Sequence, residues 1–559
     1  AGSTNSTCSG VGIYAEGVIE NLINAGIIRT GTKGNQGIYI SSGTTKRLEN
    51  MGNITGANMG ILIRGGTIEN LRNTGSISAF SNLNEIGKAI TVTVNGTIKN
   101  VENTGTLISD GSGVYVTGQN SSVVGTLEKL LNQGKIDVKG EYGGGVEVEW
   151  YGKINDFSNT GVIYGEFYAV SMNGAPINST NNYGIFVALR DKIIKNDRNL
   201  PVKNYGLYIA GTTGVVTKGD QTIEGTDEKV ILTTGYDDSG NELKREMVIK
   251  NAVITDDSGT GTTTESIELG TNNYNNHILN GKNDTLKVSG TGNEVEGSII
   301  NAYGSAVKFD TDGGELILSG IIVNGGIDGS AAISGSDEAD TLILQSGEIK
   351  YTDGTINTQN TIVNGNINMG AKADNLTISN GTIVNGILDG GTGDDTLNFK
   401  ISSVAKSNSA KSQGINIMYS ISNFENININ TNVTLFEKTI KNEDLEITGV
   451  ENITIGKDGI LTLRIDGTNN NKHALSTGNS GGTIDSNGGK LLLALNGVSD
   501  GSIINIGMNL GDGIYGVENK DIEYRDLFTL ETTSLLHSLE KTSSNELKVT
   551  TKSDLPLSP

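Results

Sequence analysis

The stretch GTIENLRNTGSI, residues 66–77, returns as GTIKNVENTGTL at residues 96–107. Both copies contain Asn-x-Gly-x followed by an apolar residue, and this pattern recurs every 22 to 30 residues through the first part of the chain. A period of this length is typical of a solenoid, in which each repeat forms one coil. The glycines of the copies are Gly26, Gly52, Gly75, Gly105, Gly134, Gly161, Gly184 and Gly206.

A second apolar segment precedes several of these copies, as in GIYI at 37–40 and GILI at 60–63. Each segment alternates residues that face the interior with residues that face solvent, and one coil cannot bury its apolar face alone. We therefore predict an all-β fold: a right-handed parallel β-helix (solenoid) with loop and hairpin insertions. About 22 coils at the usual strand spacing would form one rod about 100 Å long.

The composition excludes several classes of protein. The 559 residues carry a net charge of −22 without a basic cluster, so nucleic acid is excluded as a partner. Cys8 is the only cysteine, which excludes an internal disulfide and a cysteine zinc site. No run of 18 apolar residues is present, so no helix is expected to span a membrane. We expect these residues to follow a signal peptide that has been removed.

The repeats change style along the chain, which predicts four regions. They are N-terminal β-helix coils at 1–211, an insertion or junction with a hairpin at 212–266, middle coils at 267–410, and C-terminal coils with a cap at 411–559.

Two breaks and one new repeat accompany these changes of style. Residues 187–200 interrupt the first repeats and are predicted to protrude as a loop. Strands are predicted at 228–235 and 243–254 around a turn. In the middle coils, Ile-Val-Asn-Gly recurs, first at 322–325 and again at 362–365.

No residue set indicates catalysis. His277, His473 and His537 lack a second ligand at metal-binding spacing, so we predict a protein that is not an enzyme and needs no cofactor. A polysaccharide-active enzyme is the alternative, because many β-helices cleave polysaccharides with clustered carboxylates and basic residues. A groove lined by at least two carboxylates and a basic residue would support that alternative.

The segment GGTGDDTL at 390–397 resembles one nonapeptide of the calcium-binding repeats of RTX proteins. This resemblance makes Asp394 and Asp395 the only metal candidates. Such sites need consecutive copies, and the only related segment found lies 55 residues earlier, at 336–342. A solenoid corner is therefore the preferred interpretation.

Aromatic residues concentrate between 142 and 208, which holds 11 of the 27 in the chain. They either contribute to a partner-binding surface or fill a wider core. Strand alternation from Val146 and Val148 predicts that Trp150 points inward and Tyr151 outward. The candidate partner-binding residues, with the cations of the adjoining loop, are Tyr142, Trp150, Tyr151, Tyr164, Phe167, Tyr168, Arg190, Lys192, Lys195 and Arg198.

The repeat style resembles the passenger domains of monomeric (type Va) autotransporters, especially large fusobacterial adhesins. The resemblance rests on the coils at 66–77 and 96–107, on GGTGDDTLNF at 390–399 and on FENINI at 424–429. It implies a virulence-associated adhesin, secreted to the bacterial cell surface and followed by a C-terminal outer-membrane barrel that these residues lack.

By this resemblance, the expected partner is a host cell-surface glycoprotein, such as an immunoglobulin-superfamily receptor, or a glycan. The passenger is expected to be a monomer that meets the membrane only through its barrel. A structural stalk with its binding tip elsewhere is a further alternative.

Overall fold

In the first 210 residues, three short strands per coil stack into three parallel sheets, each with one strand from each of eight coils. The computed structural model describes residues 10–30, 35–80, 86–141, 143–173, 177–190, 193–196, 202–210, 214–215, 227–237, 239–251, 266–269, 274–281, 283–402, 414–436, 447–466, 475, 482–496, 498–510, 528–532, 534, 536–543 and 546–552. In this part of the chain, no helix has the length and hydropathy needed to cross a bilayer.

These coils form the first solenoid. Sheet A contains Val11–Ala15, Gln36–Ile40, Met59–Arg64, Lys88–Thr93, Ser112–Thr117, Gly144–Glu149, Tyr168–Asn173 and Ile194–Asn196. Sheet B contains Val18–Asn24, Thr44–Asn50, Thr67–Asn73, Thr97–Asn103, Thr126–Asn132, Lys153–Asn159, Ile177–Asn182 and Val202–Asn204. Sheet C contains Ile27–Arg29, Asn53–Gly56, Ser76–Ala79, Thr106–Ser109, Lys135–Val138, Val162–Gly165, Ile185–Ala188, Leu207–Ala210 and Gly214–Val215.

The repeated residues occupy equivalent positions in successive coils. Ile68 pairs with Ile98 and Asn73 pairs with Asn103 across sheet B, so like side chains stack. The Asn73 amide donates to Asn103 Oδ1 at 2.7 Å, and this ladder continues from Asn24 to Asn204. Each ladder amide from Asn24 to Asn182 is buried and donates to the next coil, so the corner satisfies these donors internally. Asn204 Nδ2, at the end of the ladder, is buried without a hydrogen-bond partner among the described residues.

An antiparallel hairpin, Lys229–Tyr236 with Glu242–Asn251, leads into the second solenoid. Sheet D comprises this hairpin followed by His277–Gly281, Ile299–Ala302, Ile322–Asn324, Thr361–Asn364 and Thr382–Val384. Sheet E contains Ile267–Glu268, Leu286–Glu296, Val307–Ser319, Ile333–Ser336, Thr341–Gln345, Ile367–Gly370, Asn375–Ser379, Leu388–Asp389, Thr396–Lys400, Ile421–Ser422, Asn426–Ile429, Ile447–Thr448, Asn452–Gly456, Thr483–Asn487 and Asn509–Leu510.

The later strands complete the second solenoid. Sheet F contains Ile415–Ile417, Asn432–Leu435, Ile460–Asp466, Gly489–Asn496 and Phe528–Thr532. Two small antiparallel sheets pair Gly347–Lys350 with Ile356–Gln359, and Glu546–Thr551 with both Ile503–Asn505 and His537–Ser543. The chain is thus a parallel β-solenoid of about 16 turns with hairpin insertions, which confirms the predicted fold class.

The two solenoids lie side by side with opposite chain directions. Ladder asparagines along sheet D donate to main-chain carbonyls of the first solenoid at 2.8–3.0 Å. The residue number of the acceptor falls as that of the donating asparagine rises. The prediction of a single rod is therefore wrong, because the chain doubles back. The pairs are Asn280 with Tyr205, Asn301 with Tyr183, Asn324 with Thr160, Asn364 with Gln133, and Asn385 with Thr104.

Apolar side chains explain why the solenoids associate along sheet D. Val323 points into the core of the second solenoid. Its neighbour Ile322 points the other way, into an apolar cluster that contains Tyr183 and Tyr205 of the first solenoid. Adjacent apolar residues in a strand indicate a sheet that is buried on both faces. In the Ile-Val-Asn-Gly pattern, the isoleucine therefore packs between the solenoids and the valine packs in the core of the second solenoid. The asparagine belongs to the ladder.

Candidate binding surfaces

Part of the aromatic concentration belongs to the interior. Phe186 stacks between Phe157 and Tyr208 inside the first solenoid, with ring centroids 6.0 and 5.6 Å apart. Tyr183 and Tyr205 stack at 5.2 Å in the interface between the solenoids. For these five side chains, packing within the molecule accounts for the aromatic residue.

Trp150 and Tyr151 lie on the surface, in the turn that follows strand Gly144–Glu149. Trp150 is 70% exposed and Tyr151 is 47% exposed. The prediction that Trp150 points inward is wrong, because the strand ends at Glu149. The φ of Trp150, 52°, breaks the alternation that the prediction assumed.

A second group lies at the opposite end of the sheet A strands. Phe167 and Tyr168 make an edge-to-face contact at 4.7 Å, and Lys195 Nζ lies 5.1 Å from the Tyr168 ring centroid. Arg190 binds Glu166 at 2.8 Å. Lys195 belongs to strand Ile194–Asn196 of sheet A, so the predicted loop at 187–200 contains a sheet strand.

Tyr164 lies apart from the other candidates. It is on sheet C and packs against the same apolar cluster as Tyr303 and Ile327 of the second solenoid. Burial raises the pKa of Tyr164 to about 12. Tyr142, Lys192 and Arg198 lie outside the described residues. The structure therefore brings the candidates to two ends of sheet A and one inter-solenoid position.

Between the two ends of sheet A, the outer face carries a polar cluster that sequence reasoning missed. Ser112 Oγ donates to Glu147 Oε2, and the Tyr115 hydroxyl donates to Glu149 Oε2, both at 2.8 Å. Burial raises the pKa of Glu147 to about 7, and the charge of Glu149 adds to that rise. The sequence signal was the alternation Glu-Val-Glu at 147–149, which places both carboxylates on one face.

A groove with a cavity of about 380 Å³ lies between the outer face of sheet B and the tip of the 229–251 hairpin. We call it the hairpin groove. The hairpin is anchored by an ion pair of 2.7 Å between Lys129 and Glu242 and by a hydrogen bond from Gln133 to the Thr234 carbonyl. Burial opposes ionisation of Glu242, but Lys129 and Lys244 outweigh it and lower the pKa of Glu242 to about 2.

The hairpin groove satisfies the criterion stated for a polysaccharide-active site. Its lining includes carboxylates and basic side chains from successive coils of sheet B and from the hairpin. The charged lining residues are Glu20, Glu69, Glu102, Asp237, Lys46, Arg47 and Arg72.

One of the two metal candidates, Asp395, belongs to a column of carboxylates. Asp395 is stacked on Asp374 and then on Asp340, because each main-chain N–H donates to the carboxylate of the next coil at 2.6–2.7 Å. The segment at 390–397 therefore does have an adjacent counterpart, around 370–376, which keeps one of its three glycines, Gly370 at the position of Gly391. Asp394 instead accepts a hydrogen bond from Asn426 at 2.8 Å.

The carboxylate column is relevant to the candidate calcium site and to protonation near neutral pH. Among the residues that the structure describes, no group of three or more His, Cys, Asp or Glu side chains is arranged to hold a metal ion. Burial raises the pKa of Asp374 to about 7 and that of Asp395 to about 6. The column is therefore suited to holding protons near neutral pH.

No protein-family model matches the chain, and no curated protein matches it significantly. The function is accordingly inferred from the surfaces of the molecule. Two of them combine exposure with a defined arrangement of polar and aromatic groups: the outer face of sheet A and the hairpin groove.

Proposed function

We propose that the chain is a bacterial cell-surface adhesin that binds a host glycoprotein receptor through the outer face of sheet A. The receptor-binding surface consists of Trp150, Tyr151, Tyr168, Arg190 and Lys195. The observation that carries the proposal is the exposure of Trp150 and Tyr151, which contrasts with the burial of the Phe157–Phe186–Tyr208 and Tyr183–Tyr205 stacks. Trp, Tyr and Arg are the residues that most often dominate the energy of protein interfaces.

The solenoid holds this surface ready for binding. The main-chain N–H of Trp150 donates to the Asn173 carbonyl of the next coil at 2.9 Å. Lys195 is held over Tyr168, and Arg190 is held by Glu166. Side chains that are already ordered lose little entropy on binding, which favours recognition by a rigid surface.

The resemblance to autotransporter passengers supports the location and the partner class. In that setting, the solenoid pair projects the surface away from the outer membrane, and the partner is a receptor such as an immunoglobulin-superfamily protein. The doubled solenoid is shorter and thicker than a single rod of the same chain, so the surface lies nearer to the membrane.

The test is binding of fluorescently labelled protein to cultured epithelial cells. The double variant Trp150→Ala/Tyr151→Ala should lose at least about tenfold in affinity, or about 1.4 kcal/mol. Tyr14→Ala is the matched control, because Tyr14 is also exposed on sheet A but in the first coil. Undiminished binding by the double variant would refute the proposed surface.

A polysaccharide-active enzyme is the second candidate, and Glu147 is the observation that favours it. Many glycosidases use two carboxylates, one of which is protonated near neutral pH. Glu147, whose pKa burial raises to about 7, shares a strand face with Glu149. Release of reducing ends from a polysaccharide, abolished by Glu147→Gln, would establish this function. No release from a broad panel would exclude it.

A further inference from the structure

The hairpin groove is the best-defined concavity outside the receptor-binding surface. Its floor consists of outward side chains from the first four strands of sheet B, at positions from Glu20 to Glu102. Three strand spacings correspond to about 14 Å along the solenoid axis. The wall is the hairpin tip, where Asp237 accepts hydrogen bonds from the main-chain N–H groups of Ser239 and Asn241 at 2.9 and 2.8 Å.

The charge of the groove differs from that of the molecule. Four lining carboxylates oppose three lining cations, which leaves a formal charge of −1, whereas the whole chain carries −22. A polyanion or a polycation would meet about as many like charges as opposite ones along this groove. The remaining polar groups include the amides of Asn21, Asn70 and Asn100. Such a lining offers many donors and acceptors but little net charge.

The polar groups of the floor are already arranged. Lys46 binds Glu20 at 2.8 Å, and Arg72 binds Glu102 at 3.3 Å. In the same column as Glu20 and Lys46, Glu69 binds Lys99 at 2.8 Å, so the charges alternate from coil to coil.

The amides of the floor are ordered in the same way. Asn100 donates to Asn70 at 2.9 Å. Since neighbouring coils order these side chains before a ligand arrives, binding costs little additional side-chain entropy.

We propose that the hairpin groove binds a linear, uncharged oligosaccharide that lies along the solenoid axis. Its hydroxyl groups donate to the Glu20 and Glu69 carboxylates. They accept from the Lys46 ammonium, the Arg72 guanidinium and the Asn70 amide. Hydroxyl groups both donate and accept, which matches a lining of alternating donors and acceptors with little net charge. This site is on sheet B and the hairpin, and it is independent of the receptor-binding surface on sheet A.

The test is isothermal titration of the full chain with short linear oligosaccharides of glucose, mannose and N-acetylglucosamine, and with heparin as a polyanionic probe. At least one uncharged oligosaccharide should bind, and heparin should not. Asn70→Ala and Arg72→Ala should each weaken binding at least about tenfold. Glu128→Ala is the matched control, because Glu128 continues the same charge column one coil beyond the groove lining.

The outcomes separate this proposal from the function proposed for sheet A. Trp150→Ala/Tyr151→Ala should leave oligosaccharide binding unchanged, and Arg72→Ala should leave cell binding by the sheet A surface unchanged. Circular dichroism should confirm that each variant is folded. If a groove variant is not folded, Arg72→Lys is tested in its place. Binding of heparin alone, binding of no uncharged oligosaccharide, or full binding by the groove variants would overturn the proposal, as would cleavage of the bound oligosaccharide.

Discussion

The side-chain amide of Asn324 donates a hydrogen bond of 2.8 Å to the main-chain carbonyl of Thr160, although 164 positions separate the two residues. Thr160 follows the ladder residue Asn159 of the first solenoid, and Asn324 is itself a ladder residue of the second. The same relationship recurs coil after coil along the interface. Each ladder asparagine of the second solenoid therefore has two roles. It stacks its own coil on the neighbouring coil, and it aligns that coil with a coil of the first solenoid.

Asn324→Ala should destabilise the protein by about 2–4 kcal/mol, because it removes the donor to the buried Thr160 carbonyl and to Asn301 Oδ1, and one of the two acceptors of the Asn364 amide. Chemical denaturation followed by circular dichroism measures this loss. Asn398→Ala is the control, since Asn398 belongs to an exposed amide pair with Asn375. A loss for Asn324→Ala no larger than that of the control would contradict the role of the ladder at the interface.

Ile322→Asp should separate the solenoids without unfolding either, because each has its own apolar core and an unpaired carboxylate is costly to bury between them. Small-angle X-ray scattering should show an increase in the maximum dimension while the β-sheet circular dichroism signal remains. Ile231→Asp is the matched control, because Ile231 is on the same sheet but 60% exposed. Unchanged scattering by a folded Ile322→Asp variant would disprove the prediction.

Asp374→Asn should remove part of the pH dependence of stability. Burial raises the pKa of Asp374 from its ordinary 3.8 to about 7, so the folded state holds a proton that the unfolded chain has lost between these values. The stability that this proton on Asp374 contributes to the folded state is fully present below about pH 4 and is lost as the pH rises to about 7.

The measurement for Asp374→Asn is the urea midpoint at pH 5 and pH 8. The urea midpoint of the unaltered protein minus that of the variant should be smaller at pH 8 than at pH 5. Asp328→Asn is the control, because Asp328 lies in an exposed turn. The urea midpoint of this control should change with pH in the same way as that of the unaltered protein. A difference between protein and Asp374→Asn that does not change with pH would show that Asp374 is ionised throughout.

Arg245→Met should destabilise the hairpin and the coils next to it by about 2–5 kcal/mol. Arg245 is fully buried and donates to Gln359 Oε1 at 2.6 Å, to Asn276 Oδ1 at 3.0 Å and to the Gly297 carbonyl. Methionine fills most of the space but leaves these acceptors without a donor. Burial also lowers the pKa of Arg245 to about 10.

Hydrogen exchange of strand Glu242–Asn251 measures the effect of Arg245→Met, which should accelerate exchange there. Lys244→Met is the control, because Lys244 is on the same strand with half of its side chain exposed. Equal exchange in both variants would show that the buried guanidinium does not hold the hairpin.

The sequence predicted features that depend on neighbouring residues and on the coil period. The register of Ile68 with Ile98, the amide ladder through Asn73 and the hairpin near 229–251 all follow from local patterns. The alternation Glu20, Lys46, Glu69, Lys99 was also readable in principle, since residues one coil apart are neighbours in a solenoid. The register was needed to recognise it.

Other features escaped sequence reasoning because they depend on where strands end or on distant contacts. Trp150 faces solvent because its strand stops one residue earlier. Asp374 stacks with Asp395 although its coil keeps only one of the three glycines that mark the pattern. The hairpin groove exists because Glu242 reaches Lys129 of another sheet. The last two relationships join residues of different repeats.

The sequence by itself determined the coil, because a strand buries its apolar residues by stacking on the next copy, and that requirement is written in every repeat. Only the tertiary structure decided that the solenoid doubles back. The outward isoleucines of sheet D, such as Ile322, find apolar cover only on the first solenoid, and Asn324 finds its acceptor at Thr160. Those partners lie far apart in the chain, so the surfaces that they create, including the hairpin groove, appear only when the two solenoids meet.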